Sequence, residues 1–173
     1  MKSKTKWGLT LGLIFLLSIL AGWRYRVVNR GYLPQNVKEV IVKHNQTVKD
    51  PDVHFKILRT QTKLTNDEAL MNVTMSINQV GPNTYGFKTN NPNFDDNMWF
   101  NIPYGYYSMT KGPTTTTGKA LSMSNMSQKD RRVIVMSFRT PRDNYAFRNA
   151  TPRFSFLVPH GKQYVKYSYL LDF

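Results

Sequence analysis

The chain has 173 residues, with 24 Lys and Arg against 10 Asp and Glu, a net charge of +14, and no cysteine. The missing thiols exclude disulfides, thiolate metal sites and cysteine catalysis. The positive field concentrates anionic partners near the surface, while aromatics at 13% mark a folded, polar, β-rich domain.

Residues 1–6 form a basic head containing Lys2, Lys4 and Lys6, and residues 7–23 follow without a charge, bracketed by Trp7 and Trp23. This segment reads as a transmembrane anchor: it has the length of a short span, and tryptophans suit both interfaces. Arg24, Arg26 and Arg30 on the far side nearly balance the head by charge count. A short N-terminal tail nevertheless stays inside as a rule, and long C-terminal domains translocate with little regard to charge. The rival readings are a cleaved signal and a buried core helix. A small-residue cleavage site of the A-x-A type is missing. Leu20-Ala21-Gly22-Trp23 has the form of a bacterial lipobox with tryptophan where the lipidated cysteine belongs, so no thioether lipid can form there.

Beyond the head, 21 basic residues stand against 10 acidic ones, a net +11. Residues 24–36 read as a basic juxtamembrane stalk suited to anionic headgroups, or as a plain solvated linker. Residues 37–173 read as one extracellular domain of ordinary size. Val37–Val48 is open between a helical turn and a strand. From Val53 the period is two: Val53, Phe55 and Ile57 alternate with His54 and Lys56, and Met71, Val73, Met75 and Ile77 alternate with polar residues. Turn chemistry at Gly81-Pro82-Asn83, Asn90–Asn93 and Lys111-Gly112-Pro113 separates aromatic runs at Met98–Ile102 and Tyr104–Met109. Further strands are predicted at Arg132–Phe138, Phe154–Val158 and Val165–Phe173. About seven or eight short strands imply an all-β, immunoglobulin-like sandwich.

Most chemical motifs fail on inspection. Gly112–Ala120 has the outline of a phosphate-binding loop, but five residues separate its glycines and Ala120 replaces the magnesium-holding hydroxyl. It reads as a mobile Thr-rich hairpin loop. His44, His54 and His160 have no zinc spacing and no neighbouring carboxylate pattern. Asn93, Asp95, Asp96 and Asn97 read as a capped polar turn, with calcium as the alternative. Four Asn-x-Ser/Thr triplets, at Asn45, Asn72, Asn125 and Asn149, are incidental. Few carboxylates remain for general acid–base work, so no enzyme, metal or cofactor is expected.

The strongest functional feature is the basic and aromatic stretch from Lys129 to Arg153. Its candidate anion-binding residues are Arg131, Arg132, Arg139, Arg142, Arg148 and Arg153, whose guanidinium forks suit phosphate oxygens. The bland alternative is a solvated edge guarded against aggregation. A patch local to this stretch depends more on Arg139, Arg142 and Arg148 than on Lys56, Lys63 and Lys88.

Leu20–Trp23, Val53–Ile57, Leu70–Ile77, Phe154–Pro159 and Tyr167–Phe173, in that order, resemble the telokin-like, immunoglobulin-type β-sandwich domains of Gram-positive surface lipoproteins and membrane-anchored proteins. The aromatic insert around Trp99–Tyr107 departs from that pattern. The resemblance implies a surface interaction module without catalytic residues. Two function classes follow. One is a tethered module meeting anionic cell-wall polymers or a surface protein through a basic face, besides membrane lipids through the anchor; an extracellular place argues against nucleic acid. The other is a membrane-associated accessory or immunity factor, such as one acting in phage exclusion, working partly through its anchor helix. On either reading the mature protein keeps Lys2, partitions with membranes, and exposes its C-terminal domain to protease added to wall-stripped cells. A soluble product beginning near Trp23 overturns the anchor.

Overall fold

The computed structural model describes residues 2–29, 37–82, 84–103, 105–161 and 163–171. The chain divides into two compact units, residues 1–35 and 36–173. The first holds one helix, α1 (Lys2–Asn29). Within it Thr10–Val28 is long and apolar enough to cross a membrane; nineteen helical residues rise roughly 28 Å, close to a bilayer's ~30 Å hydrocarbon core. Its apolar side chains are exposed all round, Phe15 at 69% and Leu11 at 61% among them, which is not the pattern of a core helix. Ser18 donates its hydroxyl to the carbonyl of Ile14 at 2.9 Å, so it presents no unmet donor. The helix runs past Trp23 into the expected stalk because Arg24–Asn29 holds neither proline nor glycine to stop it. The remainder of the expected stalk, 30–36, lies outside the described residues.

The second unit is a two-sheet β-sandwich. Its strands are β1 (Lys38–Val42), β2 (Thr47–Lys49), β3 (Val53–Leu64), β4 (Glu68–Gln79), β5 (Met98–Ile102), β6 (Gly105–Tyr107), β7 (Thr114–Thr115), β8 (Arg132–Pro141), β9 (Arg153–His160) and β10 (Gln163–Leu170). Sheet A has the order β1-β10-β9-β5-β6 and sheet B the order β2-β3-β4-β8-β7. Only the β1–β10 pair is parallel among them. Ten strands are described where seven or eight were expected. The surplus lies in β2 and β7, which at three and two residues are too short to show a period, whereas β6 falls within the aromatic run expected at Tyr104–Met109. The ambiguous stretch Val37–Val48 resolves into strands of opposite sheets, with Asn45 at φ 60° in the crossing between them. The Thr-rich loop closes as a tight turn in which the amide of Gly118, at φ 82°, donates to Thr115 O. Two five-residue helices, α2 (Met123–Ser127) and α3 (Arg142–Ala146), flank β8.

Alternation sends one set of side chains from each sheet inward. From sheet B come Phe55, Ile57, Met71, Val73, Met75, Ile77, Ile134, Met136 and Phe138; from sheet A come Met98, Phe100, Phe154, Phe156 and Val158, all buried. The facing rings meet edge to face or tilted, Phe55 with Phe156 at 5.4 Å and Phe138 with Phe154 at 6.0 Å. A bulge between Ile57 and Arg59 leaves Leu58 over and restores the alternation, so that Arg59 pairs with Thr74 and faces outward.

One buried carboxylate ties the sheets together at one end. Asp50, in the turn between β2 and β3, has a fully buried side chain. Its Oδ1 accepts the amide of Asp52 at 3.0 Å, and its Oδ2 accepts Tyr167 OH at 2.7 Å and meets His160 Nε2 at 2.6 Å. His160 and Tyr167 belong to β9 and β10, so a turn of sheet B is held by two strands of sheet A. The pair joins residues 110 positions apart, so no spacing around His160 announces it. Burial, reinforced by Asp50, pushes the Tyr167 phenol well above its ordinary range, and Asp52 is raised by burial and then by the Asp50 charge. Gly81 seals the corner, because a Cβ there would fall 2.7 Å from Asp52 Cα. Asp50→Ala strands three partners at once and is expected to lower the unfolding free energy by about 3 kcal/mol, measured by denaturant titration. Asp50→Asn, which keeps an acceptor for Tyr167, costs less, and equal losses from both contradict the clamp.

Candidate anion-binding face

The outward face of sheet B is set by register. Across β2, β3, β4 and β8 run the rows Thr47–Lys56–Ser76–Val133 and Lys49–His54–Asn78; farther along come Arg59–Thr74–Val135, Gln61–Asn72–Ser137 and Lys63–Leu70–Arg139. Directly opposed residues in antiparallel strands share a face. One side of the sheet thus presents Lys49, Lys56, Arg59, Lys63 and Arg139, and Arg131 joins them just before β8. Glu68 beside Arg139 is the carboxylate among these rows, at 3.3 Å from its Nε.

At one end of this face lies a hollow of about 130 Å³, whose lining includes Thr47, Lys49, Lys56, Ser76, Asn78 and Arg131. Among the described residues no carboxylate lies within 4 Å of the charged groups of Lys49, Lys56 or Arg131. The Oδ1 of Asn78 is buried without a hydrogen-bond partner.

The outward face of sheet A differs. There Glu39 accepts Ser168 Oγ at 2.6 Å and Arg153 Nη1 at 3.0 Å, with Lys166 Nζ at 3.4 Å. The Ser168 hydrogen bond, then the two cations, hold the Glu39 carboxyl below its usual value against the opposing effect of burial. Ser155 continues this chain, donating to Asn101 Oδ1 at 2.7 Å. Arg153 and Lys166 on this face share the one carboxylate.

The six arginines singled out from sequence do not form one patch. Arg131 lines the hollow on sheet B, and Arg132 beside it pairs with Asp130 and the carbonyl of Gln128. Arg139 lies seven strand positions on from Arg132, roughly 23 Å away. Arg142 opens α3 on the surface, and Arg148 lies over the Tyr145 ring, its guanidinium carbon 4.1 Å from the centroid. Arg153 is on sheet A. The lysines that were to serve as background, Lys56 and Lys63, share the sheet B face with Arg139. The expected contrast between the two triples is therefore corrected: a continuous stretch of sequence turns from one sheet to the other, and Lys63 and Arg139, far apart in sequence, share one row across β3, β4 and β8.

The calcium alternative meets a turn whose oxygens are largely taken. Asp96 accepts the side-chain amides of Asn91 at 3.0 Å and Asn93 at 2.8 Å. Asn97 accepts the Gly86 amide and donates to Leu157 O, both at 2.8 Å. Burial, then the neighbouring Asp96, raises Asp95. No group of three or more His, Cys, Asp or Glu that could hold a metal ion occurs among the described residues.

No protein-family model and no curated protein matches the chain. A solved structure does: an uncharacterised β-sandwich protein from Clostridium difficile 630, at a TM-score of 0.50 and 11% identity, covering 79% of this chain and 97% of the other. At that identity the likeness is one of fold. The globular unit of this chain is a β-sandwich, and an apolar helix capable of spanning a membrane precedes it in sequence.

Proposed function

We propose that the chain is a non-enzymatic, membrane-anchored binding module whose β-sandwich lies outside the cell and engages anionic envelope polymers through the outward face of sheet B. The observation that supports this reading is the segregation of charge. Lys49, Lys56, Arg59, Lys63, Arg131 and Arg139 share one side of one sheet with a single carboxylate in their rows, while Arg153 and Lys166 on the other sheet are paired. Uncompensated like charge destabilises a fold by self-repulsion, so a flat cationic sheet face is best accounted for by a polyanion that lies along it. A strand pitch near 7 Å per two residues and a strand spacing near 4.8 Å set out the cations as a grid wider than a single small anion. The likeness to telokin-like, immunoglobulin-type domains of Gram-positive surface proteins points the same way.

A second reading, an accessory or immunity factor acting through its anchor, draws on α1, whose apolar residues face every direction and would serve a protein channel as well as lipid. Exchange of residues 7–23 for an unrelated spanning helix separates the two: the binding module keeps its phenotype and the second class loses it.

The purified full-length protein is expected to bind teichoic acid, with log K falling linearly as log salt rises, since counterions are released from the polyanion. Replacing Lys56, Arg59 and Lys63 by glutamine weakens binding about tenfold or more. Replacing Lys43, Lys88 and Lys166, which lie elsewhere, changes it by less than about threefold. Equal losses from both triples reduce the effect to net charge and sink the face.

A further inference from the structure

We infer that the cleft beside the β5–β6 turn, lined in part by Gly105, Tyr107, Asp143, Asn144, Phe147 and Arg148, binds a neutral pyranose ring of a glycan chain. The site is separate from the polyanion reading of sheet B: it shares no residue with that face, and its ligand carries no charge.

The first observation is an aromatic ring held out from the fold. Phe147 is 84% exposed, although its backbone is fixed at the end of α3, where its amide donates to Asp143 O at 2.9 Å. Nothing in the domain covers this ring, so its burial energy is ungained until a ligand lies on it.

The second is a set of polar groups with capacity to spare at the same cleft. Tyr107 OH accepts the side-chain amide of Asn144 at 2.8 Å, which leaves its own hydrogen to donate. Among the described residues neither Asn144 Oδ1 nor the Asp143 carboxylate has a hydrogen-bond or ion-pair partner. The Tyr107 ring is held against Gly105 so closely that a Cβ there would fall 2.7 Å from Tyr107 Cε2. One hydroxyl donor, one amide oxygen and one carboxylate thus stand around the aromatic ring. A pyranose brings the matching surfaces: an apolar face of C–H groups for Phe147, and a rim of hydroxyls, each both donor and acceptor, for the other three.

The third is charge. Asp143 and Arg148 contribute one charge of each sign and the remaining lining side chains are neutral, a balance that contrasts with the +14 of the whole chain. Arg148 is already engaged, over the Tyr145 ring at 4.1 Å and on the Tyr145 carbonyl. A polyanion or an anionic headgroup finds no net attraction here and is repelled by Asp143. The volume of about 270 Å³ suits one ring and not a folded segment. Position in the fold also weighs against a lipid surface. Lys38, where the chain from α1 enters β1, pairs with Val165 beside the β9–β10 turn, whereas Asn101 of β5 pairs with Arg153 at the other end of β9. The cleft is therefore at the end of sheet A remote from that entry.

The test uses the full chain in phosphatidylcholine nanodiscs and isothermal titration calorimetry, with chitotetraose, cellotetraose and maltotetraose as probes. At least one of the three is expected to bind saturably with Kd about 1 mM or tighter. Its affinity changes by less than about twofold between low and high salt, because no exposed charge pair carries the binding. Phe147→Ala weakens it about tenfold or more, and Asp143→Ala and Asn144→Ala each about threefold or more. Gly105→Ala, which displaces the Tyr107 ring, acts in the same direction. Phe147→Ala and Asp143→Ala keep the thermal unfolding midpoint, so their losses are losses of binding. Tyr106 is the control, a ring 72% exposed on the opposite side of the β5–β6 ribbon. Tyr106→Ala changes affinity by less than about twofold, and equal losses at Tyr106 and Phe147 mean general aromatic adhesion and overturn the site. Replacing Lys56, Arg59 and Lys63 by glutamine leaves glycan binding intact even where it removes polyanion binding, so the two readings fail separately. No saturable binding by any of the three glycans, binding that fades with salt, or indifference to Phe147 overturns the pyranose site.

Discussion

Everything in the globular unit depends on the contact between two sheets that no covalent bond joins. With no cysteine in the chain, no disulfide holds the layers, and the inward side chains do so chiefly through a seam of rings. Phe55 of sheet B touches Phe156 and Tyr167 of sheet A, each at 5.4 Å. Phe138 of sheet B lies between Phe100 at 6.5 Å and Phe154 at 6.0 Å. Such pairs add about 0.5–1.5 kcal/mol each beyond the area they bury. Methionines at 71, 75, 98 and 136 fill the gaps between the rings, as a flexible thioether does well. Asp50 adds a polar fastening at one end, where His160 and Tyr167 reach across from the other sheet.

Because the seam takes most inward positions of the central strands, with Gln79 and Thr140 as buried polar exceptions, most polar and charged residues are left the outward positions, and the two outward faces have diverged. On sheet A a single carboxylate, Glu39, gathers Ser168, Arg153 and Lys166 around itself. Ser155 and Ser168, though outward, are fully buried beneath those longer side chains. Among its described residues sheet B has no carboxylate that gathers several cations as Glu39 does. Its carboxylate, Glu68, is at the end of β4 beside Arg139 and leaves the hollow around Lys56 without a counter-charge. Among the described residues the same sandwich thus carries one face whose two paired cations share a carboxylate and one face whose cations are mostly without one.

Much of this was legible before the structure. The period of two in Val53–Ile57 and Met71–Ile77 names the inward residues of β3 and β4, since every second side chain of a strand points the same way. The uncharged run between Trp7 and Trp23 marks the spanning candidate, although the helix continues to Asn29 because nothing in between breaks it. The short edge strands β2 and β7 were not legible, for two or three residues carry no period. Nor was the Asp50–His160 pair, which joins residues far apart in sequence and follows no spacing rule. The arginine stretch drew attention by local density, yet Arg131, Arg142 and Arg153 end on different elements. Lys56, one of the three lysines set against the arginines, borders the hollow. The signal that would have found the face is the outward parity of β3, where His54 and Lys56 alternate with buried Val53, Phe55 and Ile57.

The sequence by itself determined the composition-bound properties: a cysteine-free, strongly basic chain, an apolar N-terminal helix, and strands whose inward residues alternate. These follow from short-range periodicity and from counting, which need no knowledge of which strand lies beside which. Only the tertiary structure decided strand order, the bulge that turns Arg59 outward, the carboxylate that clamps the sheets, and which cations share a face. Pairing register, set by contacts between residues dozens of positions apart, converts a list of charges into a surface, and one step of register would place every one of them on the opposite side.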